Sequence, residues 1–400
     1  MAWSQPLWWV LALFVLGALV VTWQRVGVPP ENNFRIFRAT FWHLMDGRDL
    51  YAVYPAEFAD RFKYSPTFAL LFAPFAALPA VPAYFAWQLV SILALFVGVT
   101  KLLARREAAL ALLIAFPSVV SDLQRAQSNT LCAGLMLLAW SGLERRRQLG
   151  AATAAALGAF VKIFPLAALA GALLHPRKLR QALVAAGAMT TGVLLPLLIT
   201  TPTLLLMQYR SWLAIETDDA LLPEAYGRDG AGLYAGLMGV LHVWFGLAWP
   251  HLPVQLFGLI VLLAPIALRR DQLRDVRFRT QLIASILVFC VLFNHQAESP
   301  TYVIAMVGMA IWFAAHDRAA WRTALIVVAL LLVNVGSSGI LPSAVYLKVY
   351  VAYLLKTVPL ILIWCVMQLE LLGLLGNTDS EFGERDAADR ADAQRTQNAG

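Results

Sequence analysis

Apolar runs separated by short polar segments organise almost the whole chain. The first run, residues 6–21, contains no charged residue, and similar runs recur up to about residue 373. A helix needs about 20 apolar residues to cross the hydrocarbon core of a bilayer, and fewer when neighbouring helices bury its ends. The pattern therefore predicts an all-α polytopic membrane protein. The expected spans lie near residues 6–23, 82–104, 107–121, 129–143, 181–199, 253–269, 279–293, 301–315, 322–341 and 355–373.

Four clusters of basic residues orient these spans. They are residues 101–107, 144–148, 175–181 and 269–279. Because loops rich in Lys and Arg stay on the cytoplasmic side of a membrane, we expect all four clusters there. The spans then alternate in direction without conflict, which predicts about 12 spans with both termini inside. The first run has no basic region before it and no small-residue cleavage site after it, so we expect a retained anchor.

The segment 150–174 lies between two of these clusters and must cross the membrane twice or not at all. Its sequence, GAATAAALGAFVKIFPLAALAGALL, fits two short helices that meet near Lys162 and Pro165. Such paired short helices leave backbone polar groups at membrane depth, which is tolerated only where they line a cavity or are buried in protein. We therefore expect a cavity at this point.

The outer face receives the polar loops in this arrangement. These loops are about 29–65, 121–129, 200–250 and 294–302. Two further apolar pieces, 67–79 and 231–247, are expected not to span. We interpret 1–375 as one membrane domain. Residues 376–400 are charged and almost free of large apolar groups, which predicts a disordered cytoplasmic tail without a function of its own.

Composition narrows the choice of function. Hydrophobic residues make up 60% of the chain and charged residues 14%, outside the range of soluble proteins. The net charge of +7 does not indicate a nucleic acid partner, because Lys and Arg are confined to short clusters between apolar segments. The three cysteines each lie inside an apolar run, which favours packing over a disulfide or metal cluster. A soluble nucleotide donor is unsupported, because the chain has no phosphate-cradling glycine loop, nucleophile elbow or HExxH motif.

The first outer loop contains a helical repeat. Its apolar positions are Phe34, Phe37, Phe41 and Leu44. Arg35 and Arg38 fall elsewhere on the helical wheel, so we predict an amphipathic helix lying in the membrane interface. This helix could simply coat the lipid surface. Alternatively, its arginines could grip the phosphate of a lipid carrier, since guanidinium groups bind phosphate oxygens in bidentate fashion.

Polar residues also interrupt the apolar helices further along the chain. A short turn between two apolar helices does not need polar side chains, yet this one contains Arg125, Gln127 and Asn129. Amide side chains can form hydrogen bonds with sugar hydroxyls. Lys162 is the most informative single residue, because a cation in mid-span costs about 2.5–3.5 kcal/mol on insertion scales and usually lines a functional pathway. The alternatives are snorkelling to an interface or a structural ion pair.

His295 and Glu298 have the spacing of one helical turn at the outer end of a predicted span, which would put both on one helix face. They could form a proton-transfer pair, a metal site short of ligands, or a helix cap with a solvated His. Two ligands are too few to indicate a metal. We therefore expect neither a metal nor another cofactor.

Several separated motifs occur in an order that resembles a known family. They are NFRIFRATFWHLMDGRDLY (33–51), KYSPTFALLFAPFAALP (63–79), RAQSNTLCAGLMLL (125–138), GAFVKIFPLAAL (158–169) and NHQAESPTYVIAM (294–306). Over most of residues 30–315 the chain resembles glycosyltransferase family 87, the polyprenyl-phosphate-mannose-dependent mannosyltransferase-like proteins of the GT-C superfamily. The resemblance implies a GT-C-type helical bundle in a bacterial inner membrane, with its active site facing the periplasm.

The resemblance also implies a reaction. The enzyme would take a sugar from a polyprenyl-phosphate sugar and pass it, with inversion, to a hydroxyl of a glycolipid or glycan acceptor. In better-known members an Asp in the first outer loop is the general base, and here that position reads Asn33. A neutral amide cannot accept a proton as a carboxylate does. Asn33 could orient a sugar while Glu31, Asp46, Asp49 or Glu298 acts as base, the motif could be shifted onto Glu31, or the protein could be catalytically silent.

Each requirement of such a transfer has candidate residues. The leaving phosphate needs positive charge, for which the candidates are Arg35, Arg38, Arg125 and Lys162. Candidates for holding the substrate are Tyr51, Tyr64, Gln127, Asn129, His295 and Tyr302. The rival hypotheses are a transporter or flippase for a lipid-linked sugar, which would also want broken helices and midplane charge, and an accessory subunit without chemistry.

Overall fold

The computed structural model describes residues 6–221, 235–247, 249–335 and 339–375. Regular secondary structure in these ranges is helical throughout, which confirms the all-α class. The helices of the first half are α1 Pro6–Trp23, α2 Asn32–Met45, α3 Pro66–Leu71, α4 Ala73–Ala77, α5 Ala80–Leu102, α6 Arg105–Gln124, α7 Asn129–Glu144, α8 Gln148–Val161 and α9 Lys178–Leu194. Those of the second half are α10 Pro202–Leu221, α11 Leu237–Phe245, α12 His251–Leu268, α13 Val276–Leu292, α14 Tyr302–Ala315, α15 Ala320–Val335, α16 Ser343–Val345 and α17 Val358–Leu371.

Four described helices are long and apolar enough to cross a membrane. They are Ala80–Leu102, Arg105–Gln124, Lys178–Leu198 and His251–Leu268. A fifth candidate consists of Ser343–Val351 and Leu355–Leu371, which are bent by 58° at the break between them. Other apolar helices, such as α8, are shorter. The chain is an integral membrane protein, and the number of about 12 spans stays a prediction.

The helices α7 and α14 form the buried centre of the bundle. α7 packs along α5 and α8, whereas α14 packs along α13 and α6. The backbones of α5 and α7 approach each other closely at Gly134, where a Cβ atom would lie 2.4 Å from the carbonyl carbon of Ala94 and the nitrogen of Leu95. Small residues allow helix backbones to approach closely in membranes, so Gly134 determines how near α5 can come to α7.

The four basic clusters meet at one end of this bundle. The Arg145 side chain donates to the carbonyl of Lys101 (3.1 Å), joining the first two clusters. Glu144 pairs with His175 of the third cluster (3.3 Å) and with Arg279 of the fourth (2.6 Å). A single carboxylate thus links three clusters, and all four share one face of the protein.

The predicted break near Lys162 is confirmed. α8 ends at Val161, Lys162 adopts an extended conformation, and a 3₁₀ segment, Phe164–Leu174, follows. The carbonyl of Phe160, freed by the end of the helix, accepts a hydrogen bond from the hydroxyl of Ser65 at 2.6 Å. The backbone exposed by the break is therefore satisfied by the first outer loop, as buried polar groups require.

The helical spacing expected for His295 and Glu298 is wrong. α13 ends at Leu292, and the chain runs through a turn before the 3₁₀ segment Ser299–Thr301. The reason lies in a second segment, because the nitrogen of Ala235 donates to the carbonyl of Ala297 at 2.8 Å. This pairing holds residues 294–298 as an open loop.

The predicted helix of the first outer loop is confirmed as α2. Its Phe34 and Phe37 are fully buried against aromatic side chains of the following helices, with ring centroids 5.8 Å and 5.4 Å from Phe72. Trp42 and Met45, by contrast, are about half exposed. The apolar face of α2 therefore covers the protein itself rather than lipid.

Residues 67–79 and 231–247 are the two apolar segments that we expect not to span the membrane. Residues 67–79 form α3 and α4, of six and five residues, which are too short to cross. In the segment 231–247 the nine-residue α11 is described, whereas residues 231–234 lie outside the described ranges. The predicted tail, 376–400, also lies outside them.

Candidate active site

A chain of hydrogen bonds connects three polar residues where α6, α7 and α8 end or begin. Lys162 donates from Nζ to Oδ1 of Asn129 (2.7 Å), and Asn129 donates from Nδ2 to Oδ1 of Asp122 (2.9 Å). Asp122 and Asn129 are fully buried. The buried carboxylate and the lysine cation are thus joined through one amide, whose orientation is fixed at both ends.

Asp122 has a second role at the start of α7. Its Oδ2 accepts from both the backbone nitrogen (2.9 Å) and the hydroxyl (2.7 Å) of Thr130. It therefore satisfies one of the free amides of the first turn, as an N-cap would. The same carboxylate anchors α7 and orients Asn129 toward Lys162.

The lysine cation faces a small group of polar side chains. Lys162 interacts electrostatically with the Tyr64 hydroxyl and the Glu298 carboxylate as well as with Asp122. Glu298 is exposed, and it precedes the 3₁₀ segment without capping it through its side chain. An accessible carboxylate therefore lies within electrostatic range of the cation at the break after α8.

A second buried cation lies beside this group. Lys356 is only 8% exposed and donates to the hydroxyl (2.6 Å) and the carbonyl (3.1 Å) of Ser299. Its ammonium sits 4.5 Å from the ring centroid of Tyr302. It also interacts electrostatically with Arg125, an exposed like charge. Lys356, in the 3₁₀ segment that precedes α17, thus contacts the residue next to Glu298 and lies within electrostatic range of Arg125 in the α6–α7 turn.

The acidic and amide candidates of the first outer loop are bound to other groups. Asn33 donates to the carbonyl of Arg125 (3.0 Å), and Glu31 pairs with Arg25 (3.0 Å). Asp49 accepts from the backbone nitrogen of Tyr51 (3.0 Å), a local turn contact. Asn33 therefore ties α2 to the turn that carries Arg125.

The arginines of α2 contact backbone carbonyls. Arg38 donates to the carbonyls of Ala76 (3.2 Å) and Leu78 (2.8 Å), and so closes the end of α4. Arg35 donates to the carbonyl of Glu57. These contacts connect α2 to the rest of the loop and to α4, and leave phosphate binding by either arginine a prediction.

The remaining candidates occupy different places. The Tyr51 hydroxyl donates to the backbone carbonyl of Tyr64 (2.8 Å), so Tyr51 lies next to Tyr64. Gln127 is buried in the α6–α7 turn, where its backbone nitrogen donates to the Asp122 carbonyl (3.1 Å). His295 stacks on His251 at the start of α12, with ring centroids 5.2 Å apart.

Asp122 and Lys356 are the two residues that the sequence reasoning missed. Lys356, like Lys162, is a cation within an apolar stretch. Because inserting a cation into the membrane is costly, such a residue usually has a functional role. Asp122 belongs to the same polar loop as Asn129, and a carboxylate at the end of an apolar helix could have been noticed there.

Within the described residues, no group of three or more His, Cys, Asp or Glu side chains is arranged to hold a metal ion. Cys132 and Cys290 are buried and Cys365 is exposed, and all three are free thiols.

Comparison with known proteins decides the family. The model of glycosyltransferase family 87 matches residues 62–293, more than half of the chain. The chain belongs to this family. As an integral membrane protein of family 87, it is a membrane glycosyltransferase, and the matched range contains Tyr64, Asp122, Asn129 and Lys162. No curated protein sequence matches the chain.

Three solved structures resemble the family 87 chain at low identity. ArnT from Cupriavidus metallidurans in the apo state shares 16% identity, with 90% of this chain and 77% of that one covered and a TM-score of 0.45. The same protein bound to undecaprenyl phosphate gives 16% identity, 90% and 76% coverage, and a TM-score of 0.39. The oligosaccharyltransferase of Archaeoglobus fulgidus in the apo form gives 12% identity, 90% and 57% coverage, and a TM-score of 0.45.

Proposed function

We propose that this protein transfers a sugar, mannose by family resemblance, from a polyprenyl-phosphate donor to a hydroxyl of a lipid-linked or glycan acceptor. The observation that supports the proposal is that two cations are held near the loop of Glu298: Lys162 donates to Asn129, which is bound to Asp122, and Lys356 donates to Ser299, the residue next to Glu298. Glycosyl transfer from a phosphate needs a base for the acceptor and positive charge for the leaving group. Glu298 and these cations supply both.

The proposed step is a direct displacement. Glu298 takes the proton of the acceptor hydroxyl as its oxygen forms a bond to the anomeric carbon. The bond from that carbon to the phosphate oxygen breaks on the opposite face, so the configuration inverts. The electron pair leaves with the polyprenyl phosphate, whose charge Lys162 and Arg125 stabilise. Among the acidic candidates, Glu298 is favoured because Glu31 is paired with Arg25 and Asp49 is engaged in a turn.

The four basic clusters support a site on the outer side of the membrane. They share the face opposite to the proposed site, and basic loops stay in the cytoplasm. The site therefore faces the outside, which in a bacterial inner membrane is the periplasm. A lipid carrier suits this position, since its phosphate would lie at headgroup level and its isoprenoid chain in the bilayer.

The test is an assay of the purified full-length protein with polyprenyl-phosphate mannose, and in parallel the glucose and arabinose analogues, plus a membrane lipid extract. We expect a glycosylated lipid product with one of the donors. Glu298→Gln should lower the rate by about 10²–10⁴-fold, the usual contribution of a general base. Asp49→Asn is the matched control and should retain most of the rate.

Two outcomes contradict the proposal. Movement of the lipid-linked sugar across the membrane without a glycosidic product would indicate a transporter. A donor that binds without product or movement would indicate a catalytically silent member. If Asp49→Asn rather than Glu298→Gln abolishes product, transfer stands and the assignment of the base is wrong.

A further inference from the structure

A polar cavity opens at the end of the bundle that carries the basic clusters. Its volume is about 300 Å³. The side chains that matter for a ligand are Arg269, Gln272, Arg277, Gln281, His316 and Glu370. They come from the end of α12, the start of α13 and the ends of α14 and α17. None of them belongs to the candidate active site.

Three helices place this cavity at the face opposite to the active site. α13 begins beside the cavity at Val276 and ends at Leu292, just before the loop that carries Glu298. With a rise of 1.5 Å per residue, its 17 residues span roughly 26 Å, close to the thickness of the hydrocarbon core of a bilayer. α14 and α17 likewise run from Tyr302 and Val358 toward His316 and Glu370.

The carboxylates in the cavity wall are satisfied by the protein. One oxygen of Glu370 accepts from Arg322 (2.7 Å), and the other accepts from Gln281 (2.7 Å) and Trp312 (2.8 Å). Asp275 accepts from the backbone nitrogen of Arg277 (2.8 Å) as the N-cap of α13. These acids therefore have structural partners, and Arg322, which neutralises Glu370, is almost fully buried.

Positive charge dominates the segment that forms the rim. Residues 269–279 contain five arginines and two aspartates, and both Arg269 and Arg277 line the cavity. Guanidinium groups bind phosphate oxygens through paired N–H donors, and the amide of Gln272 adds a neutral donor. The walls therefore suit an anion that bears phosphate.

Large apolar side chains surround this cationic rim. Leu268, Val276 and Leu374 are 70%, 68% and 69% exposed. In an integral membrane protein such residues next to the end of an apolar helix contact acyl chains. Cations directly beside them lie at the level of the headgroups, where basic pockets between helices recognise anionic lipids.

We propose that this cavity binds the phosphate headgroup of an anionic phospholipid, in the leaflet opposite to the active site. The phosphate would contact Arg269 and Arg277, and the acyl chains would cover Leu268, Val276 and Leu374. A free phosphate ion shares the first contact but not the second. The experiment must therefore separate the two sources.

The test measures lipid binding by native mass spectrometry on the full-length protein in a zwitterionic detergent. Phosphatidylglycerol, phosphatidylcholine and glycerophosphate are titrated separately. We expect phosphatidylglycerol to bind at least about tenfold more tightly than the other two, a difference of about 1.4 kcal/mol. Arg269→Gln with Arg277→Gln should remove this preference, whereas Arg269→Lys with Arg277→Lys should keep most of it.

The matched control is the double variant Arg105→Gln with Arg180→Gln, which removes two exposed charges outside the cavity. It should bind phosphatidylglycerol like the unaltered protein. Unchanged binding in the Arg269/Arg277 glutamine variant, or an equal loss in the control, would overturn the proposal. Equal affinity for glycerophosphate would also overturn it in favour of a soluble anion. The readout is independent of sugar transfer.

Discussion

Lys162 donates to Asn129 at 2.7 Å, and the amide that receives this bond is itself held by a buried carboxylate. These two bonds restrain the lysine side chain beside the Asn129 amide. A cation fixed in this way can stabilise charge that develops on a leaving group without reorganising during the reaction.

The first prediction concerns this cation. Lys162→Met should lower the turnover of sugar transfer by about 10²–10³-fold, the usual cost of losing one preorganised group that stabilises the transition state. The measurement is product formation at saturating donor. Lys178→Met, an exposed lysine at the other end of the bundle, is the control and should leave the rate unchanged. A similar loss in both variants would refute a specific role for Lys162.

The second prediction concerns Asp122. In Asp122→Asn an NH₂ donor takes the place of one carboxylate oxygen, which accepts a hydrogen bond from Thr130 or Asn129. The substitution also removes the buried negative charge near Lys162. We expect the free energy of unfolding to fall by about 1–3 kcal/mol, the cost of an unsatisfied buried polar group. Thermal unfolding measures this, with the exposed Asp60→Asn as control. Equal midpoints for the two variants would contradict the assigned role.

The third prediction concerns the contact between α5 and α7. Gly134→Ala should force the two helices apart and cost about 1–3 kcal/mol, as overpacking does elsewhere. Gly187→Ala in α9 is the matched control, because a Cβ there meets nothing within 4 Å. The control should change stability by no more than about 1 kcal/mol, in the stabilising direction that helix propensity predicts. Thermal midpoints of the two variants in one detergent would decide.

The fourth prediction concerns pH and the first outer loop. Burial lowers the pKa of His43 below its ordinary value of 6.5, and the hydrogen bond to Glu57 (2.8 Å) offsets only part of this. The other ring nitrogen is buried without a hydrogen-bond partner among the described residues. Below about pH 6.5 the unfolded chain takes up a proton at His43 that the folded chain resists. Stability should therefore fall as the pH falls below that value.

Glu57 extends the effect to lower pH. Burial would raise the pKa of its carboxyl, but hydrogen bonds from His43 and Arg48 outweigh it, so the pKa lies below the ordinary value of 4.5. The stabilisation contributed by the ionised Glu57 carboxylate is present above pH 4.5 and is lost on further acidification. His43→Gln should flatten the decline of the unfolding midpoint between pH 7 and pH 5. A decline as steep as in the unaltered protein would show that His43 is not its source.

Periodicity and charge were sufficient to predict much of this architecture. The repeat of Phe34 and Phe37 predicted α2, and the lysine and proline at 162 and 165 predicted the broken helix, because these patterns depend on local geometry. The sharing of one face by the basic clusters followed from the cost of moving charge across a membrane.

Contacts between distant segments could not be predicted in the same way. His295 and Glu298 depart from helical geometry because Ala235 pairs with Ala297, about 60 residues away in sequence. Arg38 carries the charge expected of a phosphate ligand, yet it donates to carbonyls at the end of α4. Lys356 joins the site only because the segment just before α17 passes beside Ser299.

The hydrogen bond from Ser65 to the carbonyl of Phe160 also bears on biogenesis. Ser65 is synthesised almost a hundred residues before Phe160, so under the proposed topology it would already lie on the outer side when the ribosome completes the broken hairpin. The hairpin would then insert toward the Ser65 hydroxyl on that side. The two short helices would not need to be stable by themselves, because the Phe160 carbonyl would accept the hydrogen bond of Ser65 as soon as the hairpin had inserted.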